Sequence, residues 1–146
     1  MIEVQVDVGP HPREPDALAA LLERAVRHAL AVEEVDEGEL SVALLDDAAI
    51  QALNAAHLGH DSPTDVISFA LHDAGEPPLG DVYLGVEQAR RQAAEAGVDE
   101  AEELVRLAVH GTLHVLGWDH PEDEARLGSP MWARQERIVT EVMRGG

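Results

Sequence analysis

The stretch HGTLHVLGWDH, from His110 to His120, constrains this chain more than any other. It sets histidines at 110, 114 and 120 and a glycine at 117, the spacing HxxxHxxGxxH. Helical residues four apart differ by about 40° in azimuth, so His110 and His114 face the same way one turn apart. Gly117, with no Cβ, can take the left-handed conformation that stops a helix sharply. The turn through Trp118 and Asp119 then returns His120 toward the pair. An isolated pair beside Leu104, Ala108, Leu113 and Leu116 reads as core histidines bonded to backbone. Three in register read otherwise: with eight His and twelve Gly in the chain, chance placement has a probability on the order of 0.002. The spacing predicts a metal site on a central helix and its following turn, with three imidazole ligands and one open position.

The same spacing occurs in the metzincin zinc proteases, whose motif HExxHxxGxxH carries a general-base Glu at the second position. Here that position is Gly111. A glycine inside a helix costs about 1 kcal/mol relative to Ala and so needs a reason. The expectation is that it removes the protease base and leaves open space beside the metal. Three neutral ligands leave the cation's charge uncompensated, which favours an anionic ligand. A phosphodiester oxygen suits that position better than a peptide carbonyl.

The chain's 146 residues suit one domain spanning 1–146, long enough to bury a core. With no cysteine, disulfides and thiolate ligands are excluded, and a metal must sit on His, Asp or Glu. No apolar h-region follows Met1 and no apolar run approaches membrane-spanning length, so the expectation is a cytoplasmic protein with no membrane partner. Twenty-nine acidic residues face ten basic ones, for a net charge of −19. That balance opposes non-specific nucleic-acid binding, because counterion release needs cations on the contact face. Any RNA contact must be local or arranged by a partner, and no DNA partner is expected.

Ile2, Val4, Val6 and Val8 alternate with polar residues and predict a half-buried strand at or near a sheet edge. After a loop over 9–15, a helix starting at Pro15 or Asp16 carries Leu18, Leu21, Leu22, Ala25, Val26, Ala29 and Leu30 at helical spacing. An acidic turn closes near Gly38, a strand runs from Leu40 to Leu45, and Asp46 or Asp47 caps a helix through Ile50 and Asn54. A loop over 57–63 precedes strands at Thr64–Phe69 and Leu79–Gly85. A helix over Val86–Ala96 ends at Gly97, and Asp99 caps the helix bearing the histidine pair. Pro121, followed by Glu122, Asp123 and Glu124, predicts the start of a last helix, broken at 128–130 and continuing through Trp132, Ile138, Val139 and Val142. The order β-α-β-α-β-β-α-α-α fits an α+β fold, a four-stranded mixed sheet packed with helices.

With LN at Leu53–Asn54, PTDVISF at Pro63–Phe69, LGDVYL at Leu79–Leu84 and the histidine motif together, the chain resembles the YbeY family of bacterial metal-dependent endoribonucleases over nearly its whole length. The resemblance implies a zincin-like fold and one zinc ion held by His110, His114 and His120. It implies hydrolysis of single-stranded RNA, maturation of the 3′ end of small-subunit (16S) ribosomal RNA, ribosome quality control, and contact with the small subunit or its proteins. Two positions depart from the family pattern. The arginine the family usually carries four residues after Asn54 is Leu58 here, with His57 and His60 as nearby substitutes, and Ala70 stands where Pro is common.

Proton transfer then falls to Asp65 or Asp119. For Asp65 the competing reading is a hydrogen-bonder at a strand start. For Asp119 the competing readings are a turn residue and a carboxylate orienting a ligand imidazole. Arg90 with Arg91, and Arg134 with Arg137, suit surface ion pairs better than phosphates. Trp118 suits a core plug better than a base-stacking platform. Two other functions compete with the nuclease: a metallopeptidase, which Gly111 argues against, and a ribosome-assembly factor with a structural zinc.

Overall fold

Strands and helices follow one another in the expected order through the described residues, 1–119 and 129–145, of a computed structural model. The strands are β1 (Ile2–Asp7), β2 (Gly38–Leu45), β3 (Val66–Ala70) and β4 (Leu79–Gly85). The helices are α1 (Pro15–Val32), α2 (Asp47–Leu58), α3 (Val86–Ala96), α4 (Glu100–Val115) and α5 (Pro130–Met143). The sheet order is β1-β2-β4-β3, with β1, β2 and β4 parallel and β3 antiparallel to β4. A mixed α+β sheet is therefore present, and β1 lies on its edge as its alternation predicted.

Local chemistry explains most boundaries. Pro15 opens α1, where its missing N–H costs nothing. Asp46 caps α2 by accepting from the Ala49 N–H at 2.8 Å. The helix runs on to Leu58, past the expected loop start at 57, and ends at Gly59 in the left-handed region. Ser129 caps α5 by accepting from the Trp132 N–H at 3.1 Å, and the helix begins at Pro130. The expected helix start at Pro121 and the acidic residues after it lie outside the described residues.

One face of the sheet, carrying Leu40, Val42, Leu44, Val82 and Leu84, is buried against the helices. Across it lies α4, packed on β3 and β4 and flanked by α1, α3 and α5. Ten of its sixteen residues are buried, among them Leu104, Val105, Ala108, Val109 and Leu113. Burying each leucine contributes about 1.5–3 kcal/mol. The seat on β4 is made by glycines that face valines in both directions. A Cβ on Gly80 would lie 2.6 Å from Val115 Cγ1, and one on Gly111 would lie 2.5 Å from Val82 Cγ1.

This corrects the expectation for Gly111. It borders no open space beside a metal; it is buried, with Val82 and Val66 against it. Successive helical residues differ by about 100° in azimuth, so 111 faces the sheet while 110 and 114 face sideways. A larger side chain at 111 would have to lift the helix from the strand.

Gly111→Ala should therefore lower stability by about 1–2 kcal/mol, overpacking against a stiff valine outweighing the gain in helix propensity. In denaturant unfolding, adding Val82→Ala should recover part of that loss. Strictly additive effects of the two changes would contradict the close-contact account.

Candidate metal centre

His110 and His114 lie one turn apart on α4 with their rings nearly perpendicular, 79° between planes and 4.6 Å between centroids. Their Nε2 atoms approach to 3.1 Å. The other nitrogen of each ring fixes what those two atoms carry. His114 Nδ1 faces the Trp118 carbonyl oxygen at 2.9 Å, which can only accept, so Nδ1 donates. His110 Nδ1 faces Gln135 Oε1 at 2.6 Å. The Gln135 amide is orientable, but its Nε2 donates to Glu136 Oε2 at 3.0 Å, which leaves its oxygen for the histidine. Both neutral rings thus point an Nε2 lone pair inward. Two lone pairs at this separation repel, and a proton or a cation between them would relieve that. Two nitrogens on one tetrahedral zinc, with Zn–N of about 2.0–2.1 Å, lie about 3.3 Å apart. The donor pair fits such a cation.

The turn after α4 builds half of this arrangement. Gly117 takes φ of 100°, and its N–H donates to the His114 carbonyl while the Trp118 N–H donates to that of Leu113. That is the paired closure expected when a left-handed residue follows a helix. It swings the Trp118 carbonyl back over the His114 ring. The indole is fixed in turn: Nε1 donates to Glu33 Oε1 at 2.5 Å, and the Arg134 guanidinium sits 5.6 Å from the ring centroid. Trp118 packs on the core, in keeping with a plug.

His120 lies outside the described residues. Among the described residues no group of three His, Cys, Asp or Glu is placed to hold a metal; the structure brings together the first two of the three expected ligands. Asp119 is exposed, and its carboxylate is not the group opposite Nδ1 of His110 or His114. Gln135 and the Trp118 carbonyl occupy those positions.

A cleft of about 610 Å³ opens beside His110, with Asp65, Arg106, Trp132, Gln135 and Glu136 on its walls. Asp65 is therefore brought to the same cleft as His110, and Gln92 Nε2 donates to its Oδ2 at 3.2 Å. Among the described lining residues Arg106 is the one cation, only 18% exposed and paired with Glu102, Glu103 and Glu136. Glu103 is 7% exposed. Burial is the largest influence on its carboxyl and pushes its pKa above the ordinary 4.5, outweighing the bond to Arg106. Burial pushes Arg106 down, but Glu136 and Glu103 hold it above its usual value. The balance differs because Arg106 shares three carboxylates, while Glu103 has one main partner against its own desolvation.

The remaining arginine pairs serve structure, as expected. Arg90 meets Glu100, Arg91 meets Asp47, Arg134 meets Glu33 and Arg137 meets Glu141. Leu58 is half exposed at the end of α2. His57 packs edge-on against Phe69, centroids 5.5 Å apart. Val66 faces α4, so Phe69, three residues further along the strand, points to the other side of the sheet. That placement takes His57 away from the histidine pair.

Residues 9–143 match the sequence profile of the family described as endoribonuclease YbeY. The chain belongs to that family. Endoribonuclease YbeY of Geobacillus thermodenitrificans is 46% identical over 132 residues, covering 82% of this chain and 83% of the relative. Its counterpart in Moorella thermoacetica is 46% identical over 139 residues, covering 87% and 88%. A solution structure of a Thermotoga maritima protein is similar at 27% identity and a TM-score of 0.65, over 99% of this chain and 91% of that one. As a YbeY endoribonuclease, the chain is a hydrolase acting on RNA phosphodiester bonds, consistent with the expected role in ribosomal RNA processing. No helix among the described residues is long and apolar enough to cross a membrane.

Two residues of this YbeY site escaped sequence reasoning. Gln135 interrupts the apolar stripe of α5 between Met131 and Ile138, and is 2% exposed. A polar residue in a core-facing register is a legible signal, but its partner on another helix is not. Arg106 lies one turn before His110 with Glu102 and Glu103 at helical spacing, a pattern that reads equally as an exposed ion-pair ladder.

Glu103 supplies a test with a definite sign. A raised carboxyl pKa stabilises the fold fully at pH below 4.5 and loses that contribution as pH rises through the elevated value. Glu103→Gln stays neutral. The stability of wild type minus that of the variant should therefore fall as pH climbs from about 4 to about 7. Urea midpoints across that range that show the difference growing would refute the burial account.

Proposed function

We propose that residues 1–146 act as one metal-dependent endoribonuclease domain of zincin-like fold. His110, His114 and His120 hold one zinc ion, and the substrate is single-stranded RNA. The observation that carries this reading is the pair of Nε2 atoms 3.1 Å apart, both left as acceptors by the partners of their Nδ1 atoms. When bound, zinc supplies Lewis acidity, positive charge toward a phosphate oxygen and a water acidified to near neutrality.

The chain's own residues do the rest. Asp65, its Oδ2 held by Gln92, takes a proton from the attacking water in the cleft, with Asp119 as the other candidate acid or base. The cleft volume, about 610 Å³, is within the range of small-ligand sites, which is room for one or two nucleotides rather than a base-paired helix. A cation at the histidines also offsets the net charge of −19 where phosphate must approach. The family resemblance supports ribosomal RNA as substrate, with cleavage at the 3′ end of the small-subunit RNA, a part in ribosome quality control, contact with small-subunit proteins and a cytoplasmic location. Leu58 stands where the family usually carries an arginine and His57 packs on Phe69, which leaves His60 as the nearby side chain able to substitute for that contact.

Purified protein should contain one zinc per chain by elemental analysis and cleave labelled single-stranded RNA in a chelator-sensitive way. His114→Ala should keep its circular dichroism, lose zinc and lose at least about 100-fold in cleavage rate. Undiminished cleavage by the metal-free protein would end the proposal.

A further inference from the structure

The two histidines are oriented by unlike groups. A backbone carbonyl cannot reverse its polarity, so Trp118 holds His114 in one tautomer unaided. A glutamine amide can turn over. If Gln135 presented its NH₂ to His110 Nδ1, the ring would have to carry its proton on Nε2, between the two rings, where a cation belongs. Something must forbid that flip. Glu136 does so: its carboxylate only accepts, and its Oε2 receives the Gln135 Nε2–H at 3.0 Å.

Glu136 is itself held by Arg106, whose Nε reaches Oε2 at 2.9 Å and whose Nη2 reaches Oε1 at 3.1 Å. That two-point contact with a planar guanidinium fixes the carboxylate's plane as well as its place. Arg106 stands on α4 one turn before His110. The bonds therefore leave α4 at Arg106, pass through Glu136 and Gln135 on α5, and return to α4 at His110. The circuit is closed across the helix pair.

We propose that Arg106, Glu136 and Gln135 are positioning residues that lock His110 as its Nδ1–H tautomer, so that Nε2 stays open to a cation. The consequence for metal binding rests on the zinc reading above; the lock itself does not. It also gives a use to a partly buried ion pair that would otherwise add little to stability.

Long-range proton–nitrogen NMR on histidine-labelled, metal-free protein at about pH 8, where an ordinary imidazole is neutral, reads the tautomer directly. Wild type should show His110 and His114 both as Nδ1–H. Gln135→Met, similar in volume but with no acceptor, should shift His110 toward Nε2–H and leave His114 unchanged. Glu136→Gln should do the same in part, since an amide there can donate its NH₂ to the oxygen of a flipped Gln135. Gln135→Glu, an acceptor in either orientation, should keep the wild-type tautomer. Competition with a chromophoric chelator should show zinc affinity about 10–100-fold weaker in Gln135→Met, weaker by less in Glu136→Gln, and near wild type in Gln135→Glu. A His110 that stays Nδ1–H in both Gln135→Met and Glu136→Gln overturns the proposal. Tautomers as expected in a wild-type protein that binds no zinc would uphold the lock and sink the metal reading instead.

Discussion

The near contact of α4 with β4 sets the positions of everything around the site. Gly80 admits Val115 of the helix, and Gly111 admits Val82 of the strand. Because both contacts are tighter than a Cβ would allow, the helix has little freedom to slide or roll. Its sheet-facing side is fixed by Gly111, and the azimuths of His110 and His114 follow from that. Asp65, just before β3, reaches the same cleft because Val66 is also held against Gly111. Packing of small residues thus does the aiming, and the polar groups then refine it.

That refinement draws on an unbalanced charge inventory. Six of the ten arginines are engaged with carboxylates among the described residues. Few cations are left to greet phosphate, and the strongest in the cleft, Arg106, is already shared by three glutamates. Under the zinc proposal, a cation held at the histidines would be the means by which a chain of this charge attracts a phosphodiester. The acids around that point act on orientation, with Glu136 steering Gln135 and Glu33 holding the Trp118 indole.

The histidine motif carried its geometry in the letters. His110, His114 and Gly117 lie within eight residues, so helical pitch and the left-handed stop were enough to place the rings and the turn. Element boundaries were legible for the same reason where Pro15, Asp46 and Gly97 act within one turn of themselves, whereas Ser129 and Pro130, read only as a break in a helix from Pro121, open α5. Gly111 was misread because azimuth tells where a residue points and not what waits there. Gln135 went unnoticed because its role depends on a helix 25 residues away.

The amino-acid sequence alone determined the helices and strands, the pairing of His110 with His114 and the family to which the chain belongs, since each rests on spacing within a short stretch. Only the tertiary structure decided that Gly111 is a packing residue, that His57 turns to the far side of the sheet, and that Arg106, Glu136 and Gln135 converge on His110. Those outcomes depend on which faces meet across the α4–β4 and α4–α5 contacts. Local periodicity gives each face its character but not its neighbour.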